Sequence, residues 1–167
     1  MIIAPVDPTA APPADDQRVL TDIRALIAAG RGYAAQAINS VMVVTYWNVG
    51  DRIRREVVGQ ERAEYGKRLI ARLAEDLTRE YGAGFSRTNL FNMLRFAEAF
   101  PDFQIVQTLS GQLGWSHVNQ LISISDPLAR EFYARMCVTE RWSVRTLRKK
   151  IQGLLFERTA ISKMPEA

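Results

Sequence analysis

The 167-residue sequence contains one cysteine, Cys137, and one histidine, His117. A single thiol cannot close an internal disulfide, and one Cys with one His cannot furnish a zinc site. Long apolar runs are missing too. The longest, such as SVMVVTYW over 40–47, fall far short of the roughly 20 residues of a membrane-spanning helix. The N-terminus has no basic segment followed by an apolar core, so it does not read as a secretory signal. These absences exclude a disulfide-stapled secreted protein, a membrane protein and a zinc enzyme. The expectation is a soluble, cytoplasmic chain with no membrane partner.

Catalytic patterns are equally scarce. There is no Gly-x-x-x-x-Gly-Lys phosphate loop and no Gly-x-Gly-x-x-Gly turn following a strand. A metal-dependent nuclease needs clustered carboxylates and a nearby lysine, yet no Asp or Glu here has Lys two positions later. The pair Glu75-Asp76 points to different faces of its expected helix. The chain as given therefore reads as non-enzymatic, with no cofactor and no metal.

What is present is an ordinary globular composition, 47% hydrophobic and 24% charged. A chain of this length buries roughly two-thirds of its unfolded surface without covalent staples. Its charge is unevenly placed. Residues 1–80 hold 11 basic and 11 acidic side chains, whereas residues 81–167 hold 11 and 7, so the formal +4 belongs to the second half. Arg141, Arg145, Arg148, Lys149 and Lys150 are its densest cluster. This balance makes an anionic partner plausible without identifying one.

Residues 1–15, with Pro5, Pro8, Pro12 and Pro13 among small residues, cannot bury enough apolar surface to offset ordering and are expected to be a disordered Pro/Ala-rich arm. A helical domain is expected over 16–157. Val19, Ile23, Leu26 and Ile27 mark a first helix that Gly30 and Gly32 end. A long helix over about 33–57 follows, with a stripe of Ile38, Met42, Thr45, Val49, Ile53 and Val57 widened by Val41 and Tyr46. Gly50 inside it marks a close helix crossing, and Gly59 closes it. A third helix covers about 61–81, with Leu69, Ile70, Leu73 and Leu77 inward. Three times an aromatic residue precedes a serine able to cap a helix: Phe85-Ser86, Trp115-Ser116 and Trp142-Ser143. Asp126-Pro127 is a fourth helix start. Helices are thus expected near 86–99, 105–112, 116–123, 126–140 and 143–157. No segment alternates long enough to demand a strand. The fold expected is all-α, a compact bundle of seven or eight helices with helix-turn-helix-like units.

Two surfaces carry chemistry suited to nucleic acid. Residues 67–99 read as helix, glycine turn, helix, the layout in which a second helix enters the major groove. On its wheel Leu90, Met93, Leu94 and Ala97 share the buried side. Thr88, Asn89, Asn92 and Arg95 occupy the opposite arc, with Ser86 and Arg87 at the N-terminus. Asn and Arg are the side chains that pair bidentately with adenine and guanine. The same arc could equally be the solvated face of a helical hairpin. The second surface is the last helix, where Arg145, Arg148 and Lys149 recur on one face beside Lys150. Such a row can contact phosphates or merely confer solubility. A weaker helix–turn–helix pattern spans 108–123 with His117, Asn119 and Gln120 outward; Trp115 there suits a core or staple role.

Several stretches, among them Tyr46-Trp47-Asn48-Val49-Gly50, Tyr65-Gly66-Lys67, Gly84-Phe85-Ser86-Arg87-Thr88-Asn89-Leu90, Leu109-Ser110-Gly111-Gln112-Leu113-Gly114-Trp115-Ser116-His117 and Asp126-Pro127 with Arg130-Glu131-Phe132-Tyr133, resemble the N-terminal domain of the bacterial YhcG family. The match covers almost everything after residue 16. The resemblance implies a helical module preceding a PD-(D/E)XK nuclease domain, with 158–167 beginning the linker toward it. The nuclease carboxylates and lysine have no counterpart in this sequence. The expected function is a non-catalytic module that targets a nuclease domain or subunit to duplex DNA. The alternative is a protein-interaction or homo-oligomerisation module using the helix over 33–57.

Overall fold

The computed structural model describes residues 14–57 and 63–162, and every regular element among them is helical. Eight α-helices follow in order: α1 (Ala14–Val57), α2 (Ala63–Tyr81), α3 (Arg87–Ala99), α4 (Phe103–Ser110), α5 (Trp115–Leu121), α6 (Pro127–Glu140), α7 (Val144–Gln152) and α8 (Leu155–Ser162), with a short 3-10 turn at Ala83–Phe85. The all-α expectation holds. The chain divides into two units, residues 1–35 and 36–167. The expected arm over 1–15 lies outside the described residues except for its last two, which begin α1; Gly59 also lies outside them.

Two element boundaries differ from the sequence reading. Gly30 and Gly32 do not end a helix: α1 runs through both, and neither adopts positive φ. A glycine costs a helix about 1 kcal/mol against alanine, which weakens it without breaking it. The single helix expected over 143–157 is instead broken at Gly153-Leu154. Leu154 takes φ 51°, and its N–H donates to the Ile151 carbonyl (3.0 Å). Tyr133 braces this break: its hydroxyl donates to the Lys150 carbonyl (3.3 Å) and accepts from the Phe156 N–H (3.1 Å). Of the expected linker, residues 158–162 belong to α8.

Within residues 36–167 the apolar side chains form two clusters. One joins Tyr46 and Ile53 of α1 to Ile70 and Ala74 of α2 and to Leu90 and Met93 of α3. The larger one gathers Val43, Trp47, Phe96, Val106, Leu109, Val118, Leu121, Tyr133, Cys137 and Leu147 from α1 and α3–α7. The buried stripe of α1 is Val43, Tyr46, Trp47, Gly50 and Ile53: of the expected one, Tyr46 and Ile53 are buried and Val49 and Val57 half-buried against the same cluster, whereas Ile38, Val41, Met42 and Thr45 are exposed. Both arcs carry apolar residues, so periodicity alone could not choose between them. Gly50 does mark a close crossing: a Cβ there would overlap the Met93 carbonyl and come within 3.0 Å of Leu94 N. Trp47 completes the packing by donating its indole N–H to the Phe100 carbonyl (2.8 Å).

Helix starts follow their caps. Ser86, Asp102, Asp126 and Ser143 accept from the backbone N–H groups of Asn89, Gln104, Leu128 and Thr146 respectively. Ser116 does not cap α5. That helix starts one residue early with Gly114 as N-cap, and the His117 Nδ1 accepts from the Gly114 N–H (3.3 Å).

Candidate nucleic-acid interface

The expected helix–turn–helix over 67–99 is present as α2, a turn and α3. Gly82 sits at φ 91°, a left-handed conformation that glycine adopts without strain. The inner face of α3 buries Leu90, Met93, Phe96 and Ala97, while Leu94 is only half-buried. Its opposite arc is less free than the residue types suggest. Ser86 is occupied as the cap, accepting from Asn89 N at 3.4 Å. The Asn89 amide donates from Nδ2 to the Gly84 carbonyl (2.9 Å), and its Oδ1 accepts from the Trp115 indole (3.3 Å). Asn89 thus closes the turn and holds α5 against α3. Asn92 is half-buried. Arg87 is exposed with its guanidinium 5.9 Å from the Phe91 ring centre. Thr88 and Arg95 are exposed, and Arg95 has no carboxylate partner among the described residues.

The basic row of the last helix is arranged differently. α6 and α7 are separated by Arg141, Trp142 and Ser143 alone. Arg141 turns the chain in the left-handed conformation (φ 50°), and the Trp142 N–H returns to the Cys137 carbonyl (3.3 Å). The His117 ring at Nε2 bonds the Trp142 carbonyl (2.9 Å), tying this turn to α5. Because His117 Nδ1 accepts from a backbone N–H, Nε2 carries the proton. His117 is thereby a structural brace. α7 then buries only Leu147 and exposes Arg145, Arg148, Lys149 and Lys150. Arg148 makes a long contact from Nε to Gln120 Oε1 (3.4 Å), and the Lys150 ammonium lies 5.6 Å from the Trp142 ring centre. None of the four meets a carboxylate among the described residues, and neither does Arg141.

Around Asp51 and at two sites on α2 basic side chains are paired instead, although Arg68 and Arg72 of α2 are exposed and meet no carboxylate among the described residues. Asp51, buried at 4% exposure, accepts from Arg54 (2.7 Å) and Arg55 (2.5 Å). Burial works to raise the Asp51 pKa, but the two guanidinium groups outweigh it and hold the carboxyl below its ordinary value. Lys67 and Arg79 pair with Glu64 and Asp76.

The structure does not merge α3 and α7 into one surface by direct bonds. Each is joined to α5, through Asn89–Trp115 and Gln120–Arg148. Trp115 fulfils its expected packing role, edge-on to Tyr46 and Phe96. The three-residue turn before α7 was not singled out as a helix–turn–helix element from sequence. Its signal lay in Arg141-Trp142-Ser143, a serine cap only three residues beyond the end of the preceding helix. In the helix over 33–57, the alternative interaction surface, Tyr46 and Trp47 are each only 6% exposed and so face the core rather than a partner. Among the described residues, no three of His, Cys, Asp and Glu gather as metal ligands, and no helix is long and apolar enough to cross a membrane.

Comparison with known proteins places these elements in a family. The model of the DUF1016 N-terminal domain matches residues 22–158, which takes in all of α2–α7. The chain is 31% identical over 176 aligned residues to the Escherichia coli (strain K12) protein named "Putative nuclease YhcG", covering 87% of this chain and 47% of that one. The chain thus spans about half the length of this curated relative. No solved structure matches it significantly. The matched stretch contains both candidate surfaces, and the chain belongs to the family of the DUF1016 N-terminal domain.

Proposed function

We propose that this domain is a non-catalytic module that holds a nuclease on duplex DNA, with α7 as its principal contact and the exposed end of α3 as a secondary one. The observation that carries this reading is the row Arg145, Arg148, Lys149 and Lys150, exposed and without carboxylate partners among the described residues. Arginine offers a planar fork to phosphate oxygens, and lysine a compact charge. α7 also presents its N-terminal N–H groups beyond Ser143, where a phosphate is favoured. Similarity to the YhcG protein supports a nuclease as the partner activity. That chemistry would reside outside these residues, which supply no recognisable catalytic set.

Titration of labelled duplex DNA with the chain, read by fluorescence anisotropy, tests this. Binding at about 50 mM salt that weakens steeply as salt rises is expected, because each phosphate contact adds close to 0.9 to the log–log slope. Absence of affinity at that salt would overturn the reading. Equal loss of affinity from every basic-to-alanine change across the chain would also contradict it, since the contact would then have no location.

A further inference from the structure

The first unit of the chain carries an apolar surface that the DNA reading does not use. Every described residue of α1 from 17 to 35 is exposed, including Val19 (56%), Leu26 (72%) and Tyr33 (76%), with Leu20, Ile23 and Ile27 between 39% and 50%. At 100° per residue, positions 19, 20, 23, 26, 27, 30, 33 and 34 fall on one continuous arc of the helix. Asp22, Arg24 and Arg31 lie beside or beyond its edges. A helix interrupted in propensity by Gly30 and Gly32 owes its stability mainly to packing of such a face.

The arc has an internal symmetry. Reversing the segment about the midpoint between Leu26 and Ile27 maps the eight positions onto themselves and, in two of the four layers, sets a large residue against a small one. Ile23 then faces Gly30, Val19 faces Ala34, Leu20 shares a layer with Tyr33, and Leu26 shares the central layer with Ile27. A parallel, in-register pair would instead oppose Gly30 to Gly30 and Tyr33 to Tyr33, leaving a void beside a crowded layer. Gly30 also has nothing within 4 Å of where a Cβ would stand, so its lack of a side chain serves no contact with the other described residues. The exposed parts of the six large apolar residues amount to about 600 Å² per copy, so their burial could supply at most roughly 1,200 Å² over two, the lower edge of a specific interface.

We propose that the α1 segment Val19–Ala34 is a self-association surface that pairs antiparallel with the same segment of a second copy of this chain. Gly30 is the socket for Ile23 of the other copy. The helix dipoles of an antiparallel pair are opposed, placing the positive end of one beside the negative end of the other, and favour the same orientation.

Sedimentation equilibrium of the 167-residue chain at high micromolar concentration is expected to show a dimer, and a strict monomer overturns the proposal. Gly30→Ile is the most telling variant. It raises helix propensity and meets none of the other described residues, yet it fills the socket and is expected to weaken dimerisation at least tenfold. The double variant Ile23→Gly with Gly30→Ile restores the large–small layer with the partners exchanged and is expected to recover most of that loss. A Gly30→Ile chain that dimerises as well as wild type, or a double variant that does not recover, contradicts the pairing. Orientation is read by cysteine trapping. Mixing Ile23→Cys chains with Gly30→Cys chains is expected to yield the mixed disulfide dimer, whereas Ile23→Cys chains that instead cross-link chiefly to one another show a parallel pair and overturn the proposal. Cys137, at 0% exposure, does not compete for oxidation in the folded chain.

Discussion

α3 and α7 both begin at a serine cap, both bury one apolar face, and both carry polar side chains suited to DNA. They differ in what those side chains already do. On α3, Ser86 and Asn89 are spent on the helix start, the Gly84 carbonyl and the Trp115 indole, and Asn92 is half-buried. On α7, one side chain, Leu147, is fully buried, and the basic residues around it meet no carboxylate among the described residues. Residue type nominates both helices equally. Commitment of the polar atoms separates them, and only a free donor can exchange its water for a phosphate or a base edge.

The sharpest way to break this comparison is to strip α7. Arg145→Ala with Arg148→Ala and Lys149→Ala removes three charges whose side chains support no core contact. Duplex affinity is expected to fall by roughly 100-fold at low salt, with the fold intact by circular dichroism. Asn89→Ala should do the reverse. The Gly84 carbonyl and Trp115 N–H lose their partner, so thermal or urea unfolding is expected to show a loss of about 1–3 kcal/mol. The folded fraction should bind DNA nearly as before, and a large loss of affinity without loss of stability would restore Asn89 as a base-reading residue. Arg87→Ala with Arg95→Ala is expected to cost less than about tenfold in affinity, in a salt-dependent manner. An effect equal to that of the α7 variant would make the two helices equivalent contacts.

The smallest expected effect concerns Cys137, on the α6 helix that precedes the α7 turn. Burial pushes its thiol up to about 11. A thiol-reactive dye at pH 8 should therefore leave the folded chain unlabelled and label it only on unfolding. Above a pH of about 9 the unfolded chain releases this proton while the folded chain retains it, so stability should decline as pH rises toward 11. Rapid labelling of the folded protein would show that α6 opens locally and that α7 is not held as described.

Much of this arrangement was legible in the sequence because it depends on local chemistry. The starts of α3, α6 and α7 follow from Ser86, Asp126-Pro127 and Ser143, whose side chains satisfy orphan N–H groups within three residues. Gly50 also marks its crossing as expected, although Gly30 and Gly32 in the same helix have nothing within 4 Å, so a glycine inside a helix does not identify a crossing on its own. What was not legible depends on distant partners. The start of α5 moved because the His117 ring bonds back to Gly114, leaving Ser116 outside the cap. The α7–α8 break rests on Tyr133, 17 residues from Lys150 and 23 from Phe156. The choice between the two apolar arcs of α1 required knowing which one meets α3. For the candidate site, the basic row of α7 was visible from its spacing. The commitment of Asn89 was not, because its partner Trp115 lies 26 residues away.

The most direct test of α7 as the principal contact is the salt dependence of duplex affinity, measured side by side for the wild type, the Arg145/Arg148/Lys149 triple alanine variant and the Arg87/Arg95 double variant. The account predicts that the log–log slope drops by between two and three units, about 0.9 per lost contact, in the triple variant and by less than one in the double variant. A triple variant with the wild-type slope, or a double variant that loses more than the triple, would contradict it.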